Sequence, residues 1–505
     1  MSKKISTPKK SQGFTRSQIL IIITLVIGTF LGRLDGTIVG LALPKIITDF
    51  GITVSEASWI STAYIIANAI FVPVFGKLGD LIGRKPLYIF GIVSFTISSM
   101  LAGLSFNLSS MLFFRVLQAI TVSIDYPIAL SIIALEFPDQ KLRAQAMGIW
   151  SGVFALAVVF GPLLGGPLTD TFSWRAVFYV NVPLGILGTL MAIRYIKEPV
   201  KKIKGIKHFD WLGSILLGVS LGTMVLVLDR GQTWGWTSLN SLLSYLIVAI
   251  SMFAFIYVEQ HEKEPVVDLK FFSIPEFTAA NIVSFISFMG LAGGIFLLPV
   301  FVQQMLGYSV TKSGYLFIPM AFGIMISAQT GARLLYKVPI RVFVPIGMFW
   351  AAFVLYLFSG IDVKWTFFDF SWRLALFALG LGVGFAALTQ SATGSVPIHE
   401  VGIASSVLAL SRNLAGAFGI AIFATILTNS QTSMLLAIQN HSVINTQNPV
   451  MLQIIPALMI AKANILAYGN VFKWASFLLI TGGVASFFLK EIKVQPGQTQ
   501  QIMEI

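Results

Sequence analysis

Fourteen runs of roughly 20 apolar residues decide what this chain can become: at 1.5 Å per helical residue, each is long enough to cross about 30 Å of hydrocarbon. They lie near 18–43, 57–76, 86–105, 109–135, 145–167, 176–195, 210–228, 240–258, 277–300, 313–333, 340–359, 371–394, 403–427 and 471–489. Strands of a membrane barrel alternate over about ten residues, and these runs do not. Composition agrees, with 56% apolar residues, 11% charged residues and a mean hydropathy of +0.84. A soluble domain carries about 25% charge, so this chain cannot clothe a surface in water, and the same figures exclude disorder. The expected fold is an all-α polytopic membrane protein held in a lipid bilayer.

Charge sets the topology. A net +13 would suggest nucleic acid in a soluble protein, but here the positive residues sit between apolar runs, so no nucleic-acid partner is expected. With the N-terminus inside, 23 of the 34 Lys and Arg fall on inner segments, eight on outer ones, and Arg33, Arg115 and Arg412 within spans. That bias predicts both termini in the cytoplasm and residence in the cell membrane. The first apolar run is too long for a signal-peptide core and ends without a cleavage site. Zero Cys and four scattered His predict no disulfide and no metal site. No nucleophile–base set and no G-x-x-x-x-G-K-[ST] loop is present, so neither an enzyme, a cofactor nor ATP as driver is expected.

The predicted organisation is a cytoplasmic tail over 1–17, a six-helix bundle over 18–195, a basic linker with two extra transmembrane helices over 196–270, a second six-helix bundle over 271–489, and a cytoplasmic tail over 490–505. A long external loop is expected near 428–470, because the apolar stretch Met451–Ala467 is broken by Pro456 and Lys462. The loop GKLGDLIGRKP (Gly76–Pro86) has a faint echo in GARLLYKVPIRV (Gly331–Val342), at the equivalent place in a second six-span unit. Internal repeats of this kind mark secondary transporters.

Ionisable groups inside hydrocarbon normally face a bundle interior and handle ions or substrate. Asp35 lies in span one, and span four carries Arg115, Gln118, Asp125 and Glu136. On an unbroken helix at 100° per residue these four fall within an arc of about 80°. The plain alternative is a structural salt bridge, or a group reaching for the interface. A carboxylate in such a stripe can take up and release a proton as cavity hydration changes, and it also attracts a lipophilic cation. Gly28, Gly32, Gly36 and Gly40 form one smooth face on span one, best read as close packing. Gly161, Pro162, Gly165 and Gly166 in FGPLLGGP are expected to bend and thin span five.

Together these pieces resemble a known family. GKLGDLIGRKP is similar to the cytoplasmic signature of the major facilitator superfamily, FFRVLQAITVS (Phe113–Ser123) to its span-four motif, and FGPLLGGP (Phe160–Pro167) to the span-five motif of antiporters. LDGTIVGLALP (Leu34–Pro44), WRAVFYVNVPLG (Trp174–Gly185) and GIASSVLALSRNLAGAFG (Gly402–Gly419) resemble the fourteen-span drug:proton antiporters of the EmrB/QacA type. The resemblance implies two six-helix bundles around a cavity, two extra helices between them, and export of hydrophobic, cationic compounds in exchange for protons. It assigns Asp35 to cation or proton binding and Arg115 to proton transfer beside it. It places Gly76, Asp80, Gly83, Arg84 and Lys85 at a cytoplasmic gate, and Gly161, Pro162, Gly165 and Gly166 at an antiporter hinge. Gln118 and Asp125 join the proton and substrate site on position alone. A periplasmic adaptor protein is a partner the resemblance leaves open. The alternatives are an uptake symporter of the same fold and a non-transporting membrane sensor or scaffold.

Overall fold

A computed structural model describes residues 13–52, 54–197, 209–262, 265–335, 337–397, 400–441 and 449–489. Most of the basic linker, the last tail and most of the first tail therefore lie outside the described residues. The helices are α1 (Arg16–Phe50), α2 (Val54–Ile82), α3 (Arg84–Gly103), α4 (Leu108–Val122), α5 (Asp125–Glu136), α6 (Gln140–Thr171), α7 (Ala176–Tyr179), α8 (Asn181–Tyr195), α9 (Trp211–Trp234), α10 (Leu239–His261), α11 (Pro275–Leu306), α12 (Val310–Tyr315), α13 (Ile318–Leu334), α14 (Ile340–Phe358), α15 (Phe367–Gly394), α16 (Val401–His441) and α17 (Pro449–Ser486). No strand occurs among the described residues.

Helix ends follow local chemistry. Thr15 opens α1 with a capping box: its hydroxyl accepts from the Gln18 amide while the Gln18 side chain accepts from the Thr15 amide. Gly51, at φ 64°, closes the same helix in a conformation that favours glycine. Gly83, at φ 100°, makes the sharp corner between α2 and α3. Asn107 and Thr366 cap α4 and α15 in the same reciprocal way as Thr15.

Two bundles result. In the first, α1 packs on α6 and α8, α3 on α4 and α8, and α2 on α4; in the second, α13 packs on α15, α11 on α16 and α17, and α14 on α15 and α17. The halves meet where α6 crosses α13 and where α2 and α5 cross α16. The extra pair sits outside this seam: α9 leans on α2 and α16, and α10 touches α9. Leu242, Leu246, Ile250 and Phe253 of α10 are exposed, as a lipid-facing surface requires.

The structure corrects two expectations and comes close on a third. Thirteen of the described helices are long and apolar enough to cross a membrane, close to the fourteen expected. The expected span 145–167 lies within the 32-residue α6. Glycines of α6 let it approach α1 and α13 closely. The expected external loop near 428–470 is largely helical, because α16 and α17 run on for 41 and 38 residues. Lengths of about 60 Å exceed the hydrocarbon, so these helices project beyond it. Asn470 Nδ2 donates to Ser430 Oγ at 2.8 Å and ties the pair together there; Pro456 is absorbed inside α17.

Finally, the fourth span is broken. Pro127 has no N–H for the Ser123 carbonyl and its ring crowds that turn, so the helix stops at Val122 and restarts at Asp125. The Ser123 hydroxyl turns back to the Ile120 carbonyl at 2.6 Å. The single polar stripe computed for an unbroken helix therefore becomes two separate sites.

Candidate functional site

The first site is built around Asp35 on α1 and Arg115 on α4, which are 0% and 1% exposed. Arg115 Nη1 lies 2.6 Å from Asp35 Oδ2. The same nitrogen donates to Gln118 Oε1 at 3.0 Å, and Nε donates to the Ile60 carbonyl at 3.4 Å. The guanidinium rests 4.0 Å from the centroid of the Tyr64 ring. On the other carboxylate oxygen, Asp35 Oδ1 accepts from Gln118 Nε2 and Asn181 Nδ2, both at 3.1 Å. Both amides also donate to Ser99 Oγ, at 2.9 and 3.0 Å. A charge pair buried this deeply survives because both carboxylate oxygens are satisfied.

Asn181 and Ser99 complete this site and were not singled out from the sequence. The signal for Asn181 was available: an amide just inside an apolar span is as costly as a charge is rare. Ser99 offered no comparable signal, since a serine can satisfy itself on its own helix.

Asp125 belongs to the second site. Thr29 Oγ1 donates to Asp125 Oδ2 at 2.7 Å, and Trp150 Nε1 donates to Thr29 Oγ1 at 2.8 Å. Tyr88 lies alongside, with its hydroxyl donating to the Thr24 carbonyl at 3.3 Å. A Cβ at Gly28 would stand 2.8 Å from Asp125 Oδ1 and would collide with the Tyr88 hydroxyl, so this glycine makes room for the acid. Glu136, at the far end of α5, lends only its backbone carbonyl, to Gln18 Nε2 at 3.3 Å. Asp35 is held by a cation and Asp125 by hydroxyl chemistry.

At the gate motif, Gly76 is where α2 touches the opposite bundle: a Cβ there would lie 2.7 Å from the Ser406 side chain and 3.0 Å from the Gly402 carbonyl. Arg84 is buried, and Lys85 Nζ donates to the Ile193 carbonyl at 3.0 Å, neutralising the end of α8. The side chain of Asp80 lies outside the described residues, as does that of Pro162. In the hinge motif, Gly161 allows α6 to approach α1, since a Cβ would come within 2.7 Å of Thr37 Cβ and 3.1 Å of the Ile38 amide. Gly165 is buried, and Gly166 faces Thr311 of the other half. These are crossing points of helices from different elements, several of them between the halves.

The pattern of the Major Facilitator Superfamily matches residues 25–420. The chain belongs to that superfamily. It is 32% identical over 426 residues to the multidrug transporter protein MdtP of Bacillus subtilis, covering 84% of this chain and 78% of that one. It is 29% identical over 421 residues to the multidrug export protein EmrB of Escherichia coli, covering 82% and 81%. The fold is similar to the crystal structure of the human organic anion transporter MFSD10, with a TM-score of 0.60, 15% identity and coverage of 92% and 100%. This superfamily member is thus a multi-pass membrane transporter, with no catalytic chemistry expected of its polar groups.

Proposed function

We propose that the chain is a proton-coupled antiporter of the cytoplasmic membrane, with both termini inside, that exports hydrophobic, cationic compounds by alternating access. Its relatives named for multidrug transport and export support the cargo class. The observation that carries the coupling is the Asp35–Arg115 pair, buried, with both carboxylate oxygens hydrogen-bonded. While Asp35 is charged, Arg115, Gln118 and Asn181 clamp α1 to α4 and α8. A proton entering from outside neutralises Asp35 and removes the Coulomb attraction that holds Arg115. The clamp loosens, the bundles rock about the glycine crossings at Gly76 and Gly166, and the proton leaves on the inner side. Asp125 supplies a second negative charge for a cationic cargo.

The test uses purified protein in proteoliposomes with tetraphenylphosphonium as probe. An imposed pH gradient should drive the cation against the direction of proton flow, and a protonophore should abolish the movement. Movement in the same direction as protons would identify a symporter instead. Movement indifferent to the gradient would remove proton coupling from the mechanism.

A further inference from the structure

Arg412 is the buried cation that the two acids leave unused. It lies on α16 in the second half and is 6% exposed. Its Nη1 donates to the Tyr126 hydroxyl at 2.8 Å and its Nη2 to Thr389 Oγ1 at 2.9 Å. Its Nε has no partner, and no carboxylate pairs with it among the described residues. A guanidinium carries five N–H donors, so two are spent here on neutral oxygens and three remain. Arg115, equally buried, shows what the same group does when its charge is met: it takes a carboxylate at 2.6 Å.

The surroundings of Arg412 form a narrow gap of about 10 Å³ with apolar walls. A crevice is lined by Trp150, Ser151, Phe288, Phe385 and Arg412, drawn from α6, α11, α15 and α16. It therefore opens at the seam between the two halves. Phe288 and Phe385 lie tilted against each other at 5.1 Å, and the guanidinium sits 4.9 Å from the Phe288 centroid. Tyr126 and Trp150 meet edge to face at 5.0 Å. Ser151 Oγ is buried there without a partner, like Arg412 Nε. The acid nearest in sequence, Asp125, has its Oδ2 taken by Thr29. An uncompensated cation, idle donors and aromatic walls together fit a lipophilic anion, whose carboxylate takes the free N–H groups while its apolar body lies on the rings.

We propose that Arg412 binds the acid group of a lipophilic substrate, so that the cargo extends from cations to organic acids and zwitterions. This rests on reading the protein as an exporter with a substrate path between its halves. The carboxylate enters the crevice as the halves part, and Tyr126 and Thr389 hold the guanidinium fork ready for it.

The test measures equilibrium binding to the full chain in nanodiscs, with two probes of one shape: 1-pyrenebutyrate and the corresponding pyrenebutyl-trimethylammonium cation. Arg412→Gln should weaken pyrenebutyrate roughly tenfold or more, the usual scale for losing a charge-assisted contact, and leave the cation unchanged or tighter. Arg412→Lys keeps the charge without the fork and should fall between parent and Gln variant for the anion alone. Equal weakening of both probes in either variant, or no measurable binding of pyrenebutyrate to the parent, would overturn the proposal. If the Gln variant does not fold, the Lys variant decides by the same anion-against-cation comparison. Binding needs no gradient, so a failure of proton-driven export would overturn the coupling scheme and leave this result standing.

Discussion

The two halves of the molecule share an outline and differ in what they bury. Inside the membrane the first half holds Asp35, Arg115 and Asp125 with Gln118, Asn181, Ser99 and Thr29 in two hydrogen-bonded networks. The second half packs a broad apolar core, including Phe277, Phe301, Phe343, Phe358 and Phe377, around α11, α13, α14 and α15, and its buried cation Arg412 faces the seam. Their rims are alike. Arg175 lies 3.0 Å from Asp49 and 4.2 Å from the Trp174 ring, while Arg373 lies 3.4 Å from Asp369 and 3.9 Å from the Trp365 ring. Similar ends with unlike interiors fit the division of labour proposed above, in which the first half responds to protons and the second presents an apolar wall.

That division is broken most directly at Asp35. Asp35→Asn leaves Arg115 buried without its counter-ion, which costs about 3–5 kcal/mol of stability, and it removes the group proposed to take the proton. Export driven by a pH gradient should be lost for every substrate. The double variant Asp35→Asn/Arg115→Gln should recover much of the thermal stability and none of the transport. Gradient-driven export by either variant would show that the first half is not the proton-responsive one.

The next effect is mechanical. Gly76→Ala puts a methyl group 2.7 Å from Ser406, at a contact that closes α2 onto α16. Turnover should fall several-fold while the amount of folded protein stays level. Adding Ser406→Gly removes most of that collision and should restore part of the rate. A rate unchanged by Gly76→Ala would mean that the halves do not need to meet this closely at that end.

Asp125→Asn should be gentler and selective. Asparagine can still accept from Thr29, so the fold survives, but a negative charge is lost from a poorly screened site. Transport of a dicationic substrate should fall by about tenfold or more relative to a neutral one, by the Coulomb term alone. Equal transport of both by parent and variant would make Asp125 a structural acid, and would leave Asp35 as the first half's single working carboxylate.

How much of this was legible depends on the scale of the signal. Spans were readable because 20 apolar residues in water have no other use, and Asp35 and Arg115 because charges in hydrocarbon are too costly to be idle. Their pairing was not readable from angles: residues 80 positions apart meet through helix packing, which a helical wheel does not contain. The wheel also placed Asp125 beside Arg115 by treating span four as continuous, whereas Pro127 breaks the ladder just after Val122. The projecting ends of α16 and α17 were taken for loop because Pro456 and Lys462 interrupt the apolar run. Outside hydrocarbon, however, a helix tolerates a charge, and α17 carries Pro456 in its interior.

The smallest expected effect lies at the rim, where the halves are alike. Asp49 stands beyond the apolar stretch of α1, half-exposed, and accepts from Trp174 Nε1 at 2.9 Å and Arg175 Nη1 at 3.0 Å. The indole hydrogen bond, and after it the Arg175 guanidinium, hold the Asp49 carboxyl below its ordinary value of 3.8. A carboxyl lowered in the folded state adds stability above its unfolded value, and that stability is lost as pH falls through the folded one. The contribution is therefore complete above about pH 4 to 5 and disappears below it. Because the pair is exposed and screened by salt, its size is well under about 1 kcal/mol. Thermal unfolding of Asp49→Asn should thus sit slightly below the parent at pH 7, and the two should converge as the pH falls below the ordinary carboxyl range. High salt should shrink the gap at pH 7. A gap that persists unchanged below that range would mean that Asp49 matters for the shape of the α1 end rather than for its charge, and the likeness between the two rims would then be one of packing alone.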